Sequence, residues 1–121
     1  MRTTAIVAIL LGCLIHVYIH FFKAPEISIA ISIYALIPYA AAALLRCFDR
    51  TVPAALGFAL GTLGGDIYMY DAVFLSPKGS YAIYLMLPMP IINGVVLGPI
   101  GALLVWVAVR LFGKPSEESA A

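Results

Sequence analysis

From Thr3 to Phe22 the chain carries no Asp, Glu, Lys or Arg, and the same holds from Ile27 to Leu45. A third apolar stretch, Val52 to Tyr70, is interrupted only by Asp66, and a fourth, Tyr81 to Phe112, is charged only at Arg110. Short polar punctuation separates them: Lys23-Ala24-Pro25-Glu26, then Arg46 with Asp49-Arg50, then Asp71 and a loop ending in Ser76-Pro77-Lys78-Gly79-Ser80. About 20 apolar residues is the length a helix needs to cross a hydrocarbon core of about 30 Å. The chain is 64% hydrophobic and 11% charged, against about 45–50% and about 25% in a soluble domain. A water-soluble domain of 121 residues cannot hide that much apolar surface. The expectation is an all-α integral membrane bundle of four transmembrane helices in one domain, residues 1–112. The spans are 3–22, 27–45, 52–70 and 91–112, and a polar tail, 113–121, follows.

The fourth stretch needs dividing. Its 32 residues would make a helix of about 48 Å. Pro88, Pro90 and Asn93-Gly94 fall in its first third, and proline removes a backbone donor and clashes with the preceding turn. Tyr81 to Leu87 is therefore expected to lie at the interface or to re-enter, with the span proper beginning near Ile91. A single tilted helix with a proline kink is the alternative.

Charge suggests the orientation. With the amino terminus inside, the cytoplasmic face holds Arg2, Arg46, Arg50, Arg110 and Lys114, and the outer face holds only Lys23 and Lys78. The positive-inside rule prefers this arrangement, both termini cytoplasmic, in a bacterial-type inner membrane. Tyr18, Tyr68, Tyr70, Tyr81 and Tyr84 then sit near the outer interface, where amphipathic rings are favoured. Arg2 and the apolar run to Cys13 resemble a signal peptide, but the run continues to Phe22 and reads as a retained span. Cys13 and Cys47 lie at different depths, read as small hydrophobes and are not expected to pair.

Two stripes of small residues stand out. Gly57, Gly61 and Gly65 recur every four residues on the third span, and Gly94, Gly98 and Ala102 do so on the fourth. This glycine-zipper pattern permits close backbone contact, a main source of helix association in lipid. It predicts that the third and fourth spans pack on each other. The sharper alternative is that one stripe faces another protein.

Ionisable groups inside a span are costly and mark functional sites. His16 and His20 are one turn apart on the first span, and Asp66 is in the outer part of the third. Counted from the helix ends, His20, Asp66 and His16 lie roughly 3, 6 and 9 Å below the outer boundary. With Tyr34 and Asn93 they form a candidate polar pocket open to the outer side. Below it, Ala40 to Leu45 and Leu103 to Val109 offer no hydrogen-bonding side chain except the Trp106 indole, so no polar path crosses the membrane. Two histidines and a carboxylate make an acceptable metal set, His16, His20 and Asp66. The same groups suit a quinone or lipid head group, a proton relay, or simple mutual satisfaction that fixes helix packing, which is the preferred reading.

No G-x-S-x-G, P-loop or dinucleotide fingerprint is present, and no motif requires a cofactor. The Ser76-Pro77-Lys78-Gly79-Ser80 segment reads as a turn rather than a Ser–Lys dyad. A formal net charge of +1 and no basic run leave nothing for nucleic acid to bind. In length and helix count alone the chain resembles the small multidrug resistance transporters. Those carry a glutamate in the middle of their first helix, whereas no acid occurs here between Thr3 and Phe22, so no residue carries over. The function expected from sequence is a non-enzymatic accessory or assembly subunit, in contact with lipid and self-associating or part of a larger membrane complex. An oligomeric small-molecule or proton-coupled transporter and a redox or metal-binding subunit are the alternatives.

Overall fold

A computed structural model describes residues 1–23, 29–71 and 88–112. Helix α1 is Arg2–Tyr18, extended by a π-helical turn, Ile19–Lys23. Helix α2 is Ile29–Arg46, and a 3-10 turn, Asp49–Thr51, leads into α3, Val52–Tyr70. Helix α4 is Met89–Phe112, α-helical except for a π-helical turn at Asn93–Leu97. The described residues are all helical, with no strand among them. The expected interfacial segment Tyr81–Leu87, the loop around Ser76–Ser80 and the tail 113–121 lie outside them.

The helix starts follow local chemistry. Pro53 and Pro90 sit in the first turns of α3 and α4, where a missing N–H costs nothing. The last helix thus begins at Met89, with Pro90 absorbed into its first turn. Pro38 lies inside α2 and is buried. Neighbouring helices in a membrane protein allow such an interruption.

Among the described residues, three helices are long and apolar enough to cross a membrane: Arg2–Phe22, Ile29–Arg46 and Met89–Phe112. Helix α3 is different. Its glycines and Asp66 make it less apolar, yet it packs against each of the other three. Much of it is buried, from Val52 and Ala55 through Phe58, Ala59 and Thr62 to Asp66 and Met69. The faces that meet other helices carry small residues, because neighbouring backbones must approach them, while Leu60, Ile67 and Tyr68 stay exposed on the remaining face. The exterior is apolar instead: Leu14, Phe22, Ile29, Leu44, Leu104 and Phe112 are exposed. So large an apolar exterior is what lipid contact requires.

The contact between α3 and α4 is backbone against backbone. A Cβ on Gly61 would collide with the Leu97 carbonyl, and one on Gly57 with the Gly101 carbonyl. One on Gly101 would meet the Gly57 carbonyl in return. The glycine α-hydrogens point at those oxygens, a geometry worth about 0.5–1 kcal/mol per contact. The α4 face corrects the expected stripe. Gly98 lies against Phe58 and Ala102 against Gly57, but a Cβ on Gly94 would meet only Pro38 of α2, at 3.8 Å from its Cγ. The π turn at Asn93–Leu97 is the reason, since its wider i→i+5 spacing breaks the phase that a uniform α-helix would carry from Gly94 to Gly98. At the level of Gly65 the approach comes instead from Asn93 and Leu97, and Gly101 adds a contact at Gly57.

At the end of the bundle that holds the α2–α3 connection, Arg2 donates to the Arg46 carbonyl at 3.0 Å, and Arg46 Nε donates back to the Arg2 carbonyl at 3.0 Å. Arg2 also pairs with Asp49. Both cysteines are free, and Cys47 is exposed rather than buried as a small hydrophobe, because α2 ends one residue before it.

Candidate functional site

Asp66 is 2% exposed, near the outer end of α3 by the sequence-based orientation, and each of the other three helices sends one polar side chain to it. From α1, His16 Nε2 lies 2.9 Å from Oδ2. From α2, the Tyr39 hydroxyl donates to the same oxygen at 2.5 Å. From α4, Asn93 Nδ2 donates to Oδ1 at 2.9 Å. An ionised carboxylate can take about four such bonds, so this one is nearly saturated. A buried carboxylate without partners would be far too costly in an apolar medium.

Local structure aims each partner. Tyr39 crosses from α2 because Gly12 of α1 leaves room for its ring; a Cβ there would overlap ring carbons and the hydroxyl. The His16 and Tyr39 rings meet edge to face with centroids 6.2 Å apart. Asn93 opens the π turn of α4, and turns of that kind recur at functional sites. Its Oδ1 has no conventional donor and points at the α-hydrogen of Gly65. Gly65 is thus what lets Asn93 approach α3. Thr62, one turn below Asp66 and fully buried, keeps its hydroxyl without a conventional partner.

Of the expected pocket residues, the structure brings together His16, Asp66 and Asn93. His20 is placed elsewhere: its Nδ1 lies 3.1 Å from the Ser32 hydroxyl of α2, and its ring packs edge-on against Phe21. One turn further along α1, it faces α2 rather than Asp66. Tyr34 is half-buried, and its place five residues before Tyr39 puts it on a different face of α2. The expected metal set of His16, His20 and Asp66 is not assembled. Among the described residues no three His, Cys, Asp or Glu side chains come close enough to hold an ion. The physical reason is that Asp66 is already surrounded by three donors, while His20 is turned to Ser32.

Tyr39 and Gly12 are the site residues that sequence reasoning missed. The available signal was depth. Tyrosine belongs at the membrane interface, and one placed mid-span needs a partner for its hydroxyl.

Beside the carboxylate is a partly enclosed cavity of about 10 Å³, with His16, Ser32 and Asp66 as its polar lining and Ile19, Ala35 and Pro90 among its apolar walls. Below the site the core is apolar, built from Ala8, Ile9, Ala42, Phe58 and Ala59.

Comparison of the chain with protein families, curated proteins and solved structures gives no match.

Proposed function

We propose that this protein is a non-enzymatic accessory or assembly subunit of a bacterial-type inner membrane, and that its polar centre is a clasp holding four spans in one arrangement. The observation that carries the reading is that Asp66 is bonded by one side chain from each of the other three helices. Lipid tails compete equally for apolar faces, so association in a membrane depends on close packing and interhelical hydrogen bonds. The α3–α4 glycine contacts supply the first and Asp66 supplies the second. In this reading α3 is the fourth span, with a strip of Leu60, Ile67 and Tyr68 left to lipid, and both termini are cytoplasmic.

Size argues against a substrate site. Small-molecule pockets are typically about 300–1,000 Å³, and the cavity at Asp66 is about 10 Å³. A larger groove of about 270 Å³ lies between α1 and α3, lined by Leu11, Leu14, Ile15, Tyr18, Ile67 and Tyr70. It holds no charged group and suits lipid contact.

Purification of the tagged protein from its native membrane in mild detergent tests the function. A different membrane protein at a fixed ratio is expected. A monomer or homo-oligomer retaining no foreign protein, under conditions that keep known membrane complexes intact, would refute the subunit reading. The buried His16–Asp66 pair favours a second reading, a proton-coupled oligomer, for which a defined homodimer is the matching outcome.

A further inference from the structure

We propose that the cavity beside Asp66 is a binding site for a single water molecule, which links the buried centre to His20 and makes a one-sided proton path. The parts are in line. His20, half-buried, lies in the π-helical turn that ends α1, at the end of the bundle where Tyr18 and Tyr70 pack with ring centroids 6.4 Å apart. Its Nδ1 is 3.1 Å from Ser32 Oγ. Ser32 also lines the cavity, and His16 and Asp66 line the same cavity. A cavity needs about 10–15 Å³ and two to four polar partners to hold a water. This one offers about 10 Å³ and three polar side chains.

Proton movement along this chain balances without any other reactant. The His20 imidazolium gives a proton to Ser32 Oγ as the Ser32 hydroxyl proton passes to the water. The water in turn gives one of its own to the Asp66 carboxylate. Ser32 and the water each gain one proton and lose one, so a single proton moves from imidazole to carboxylate. The reverse sequence returns it. The titratable groups facing the carboxylate are His16 of α1 and Tyr39 of α2, with neutral Asn93 from α4. Among the described residues on the other side of Asp66, the hydroxyl of Thr62 has no hydrogen-bond partner to pass a proton to, and the apolar core of Ala8, Ile9, Ala42, Phe58 and Ala59 follows. The carboxylate therefore exchanges protons through the His20 end.

The test is solvent exchange at the His16 ring, measured by NMR on protein with ¹⁵N-labelled histidine in lipid nanodiscs, in wild type, Ser32→Ala and Ser32→Thr. Wild type is expected to show exchange of the ring N–H with water and a water cross-peak to the His16 ring. Ser32→Ala should slow that exchange tenfold or more, and Ser32→Thr, which keeps the hydroxyl, should restore at least half of the rate. Ser32 touches none of the Asp66 hydrogen bonds, so the unfolding temperature of Ser32→Ala separates this proposal from the clasp. Slow exchange at an unchanged unfolding temperature supports the path. Exchange in Ser32→Ala equal to wild type, or no water contact at His16 in wild type, overturns it.

Discussion

Gly12→Ala should destabilise the bundle even though alanine is the better helix former. In a helix interior, glycine is about 0.8–1.0 kcal/mol less favourable than alanine, so propensity alone makes the change stabilising. The structure reverses the sign. A Cβ on Gly12 would fall within overlap of Tyr39 Cζ, Cε1 and Oη, about 1.5 Å short of ordinary carbon contact at 3.5–4.0 Å. Tyr39 is 1% exposed and has no free side to retreat to. Its ring must shift by a distance that the 2.5 Å bond to Asp66 cannot survive. A hydrogen bond to a charged acceptor is worth about 1.5–3 kcal/mol. Subtracting the propensity gain leaves a net loss of about 0.5–2 kcal/mol, before any cost of overpacking. The assay is reversible unfolding in mixed micelles, followed by circular dichroism. The same substitution in a Tyr39→Ala background, where the ring is absent, should be neutral or stabilising. A stabilising Gly12→Ala in the wild-type background would refute the argument, because it would mean that Tyr39 does not cross to Asp66 over Gly12.

Gly61→Leu should unfold the bundle or separate α3 from α4, whereas Gly64→Leu, with nothing within 4 Å of its Cβ position, should be tolerated to within about 0.5 kcal/mol; the same unfolding assay reads both, and equal effects would remove the backbone contact from the account. Asp49→Ala should cost no more than about 1 kcal/mol, because the Arg2–Asp49 pair is exposed. Asp66→Ala should cost several times more, since three buried donors lose their acceptor at about 1–3 kcal/mol each if left unpaired; similar losses at the two positions would contradict the clasp. In a background lacking Cys13, the native exposed Cys47 should resist an impermeant thiol reagent on intact cells, while a cysteine replacing Asp71 should react. Labelling of Cys47 alone would invert the topology.

What the sequence disclosed of this site, and what it withheld, separates along one physical line. His16, Asp66 and Asn93 were legible because a hydrogen-bonding side chain inside an apolar span is rare and expensive, and a shared depth is readable from helix ends. Glycine rows were legible as close-packing faces for the same kind of reason. Features set by phase were not. His20 keeps the i, i+4 relation to His16 that puts two residues on one face, yet a single turn of rise carries it past Asp66 to Ser32. Gly94 keeps four-residue spacing to Gly98, yet the π turn between them swings Gly94 to Pro38 and leaves Asn93 and Leu97 to meet Gly65. That same turn begins at Asn93 and delivers its amide to Asp66. The irregularity that spoiled the stripe therefore helps to build the centre. Tyr39 was hidden for a different reason, since a tyrosine is at home at an interface and only its depth in α2 betrays a buried role. Together these residues explain why the helix that carries the carboxylate packs against every other helix. Helix α3 gives up apolar side chains for glycine, which lets α4 approach, and for one carboxylate, which obliges every other helix to face it. Its remaining strip, Leu60, Ile67 and Tyr68, joins the other three helices in the apolar exterior.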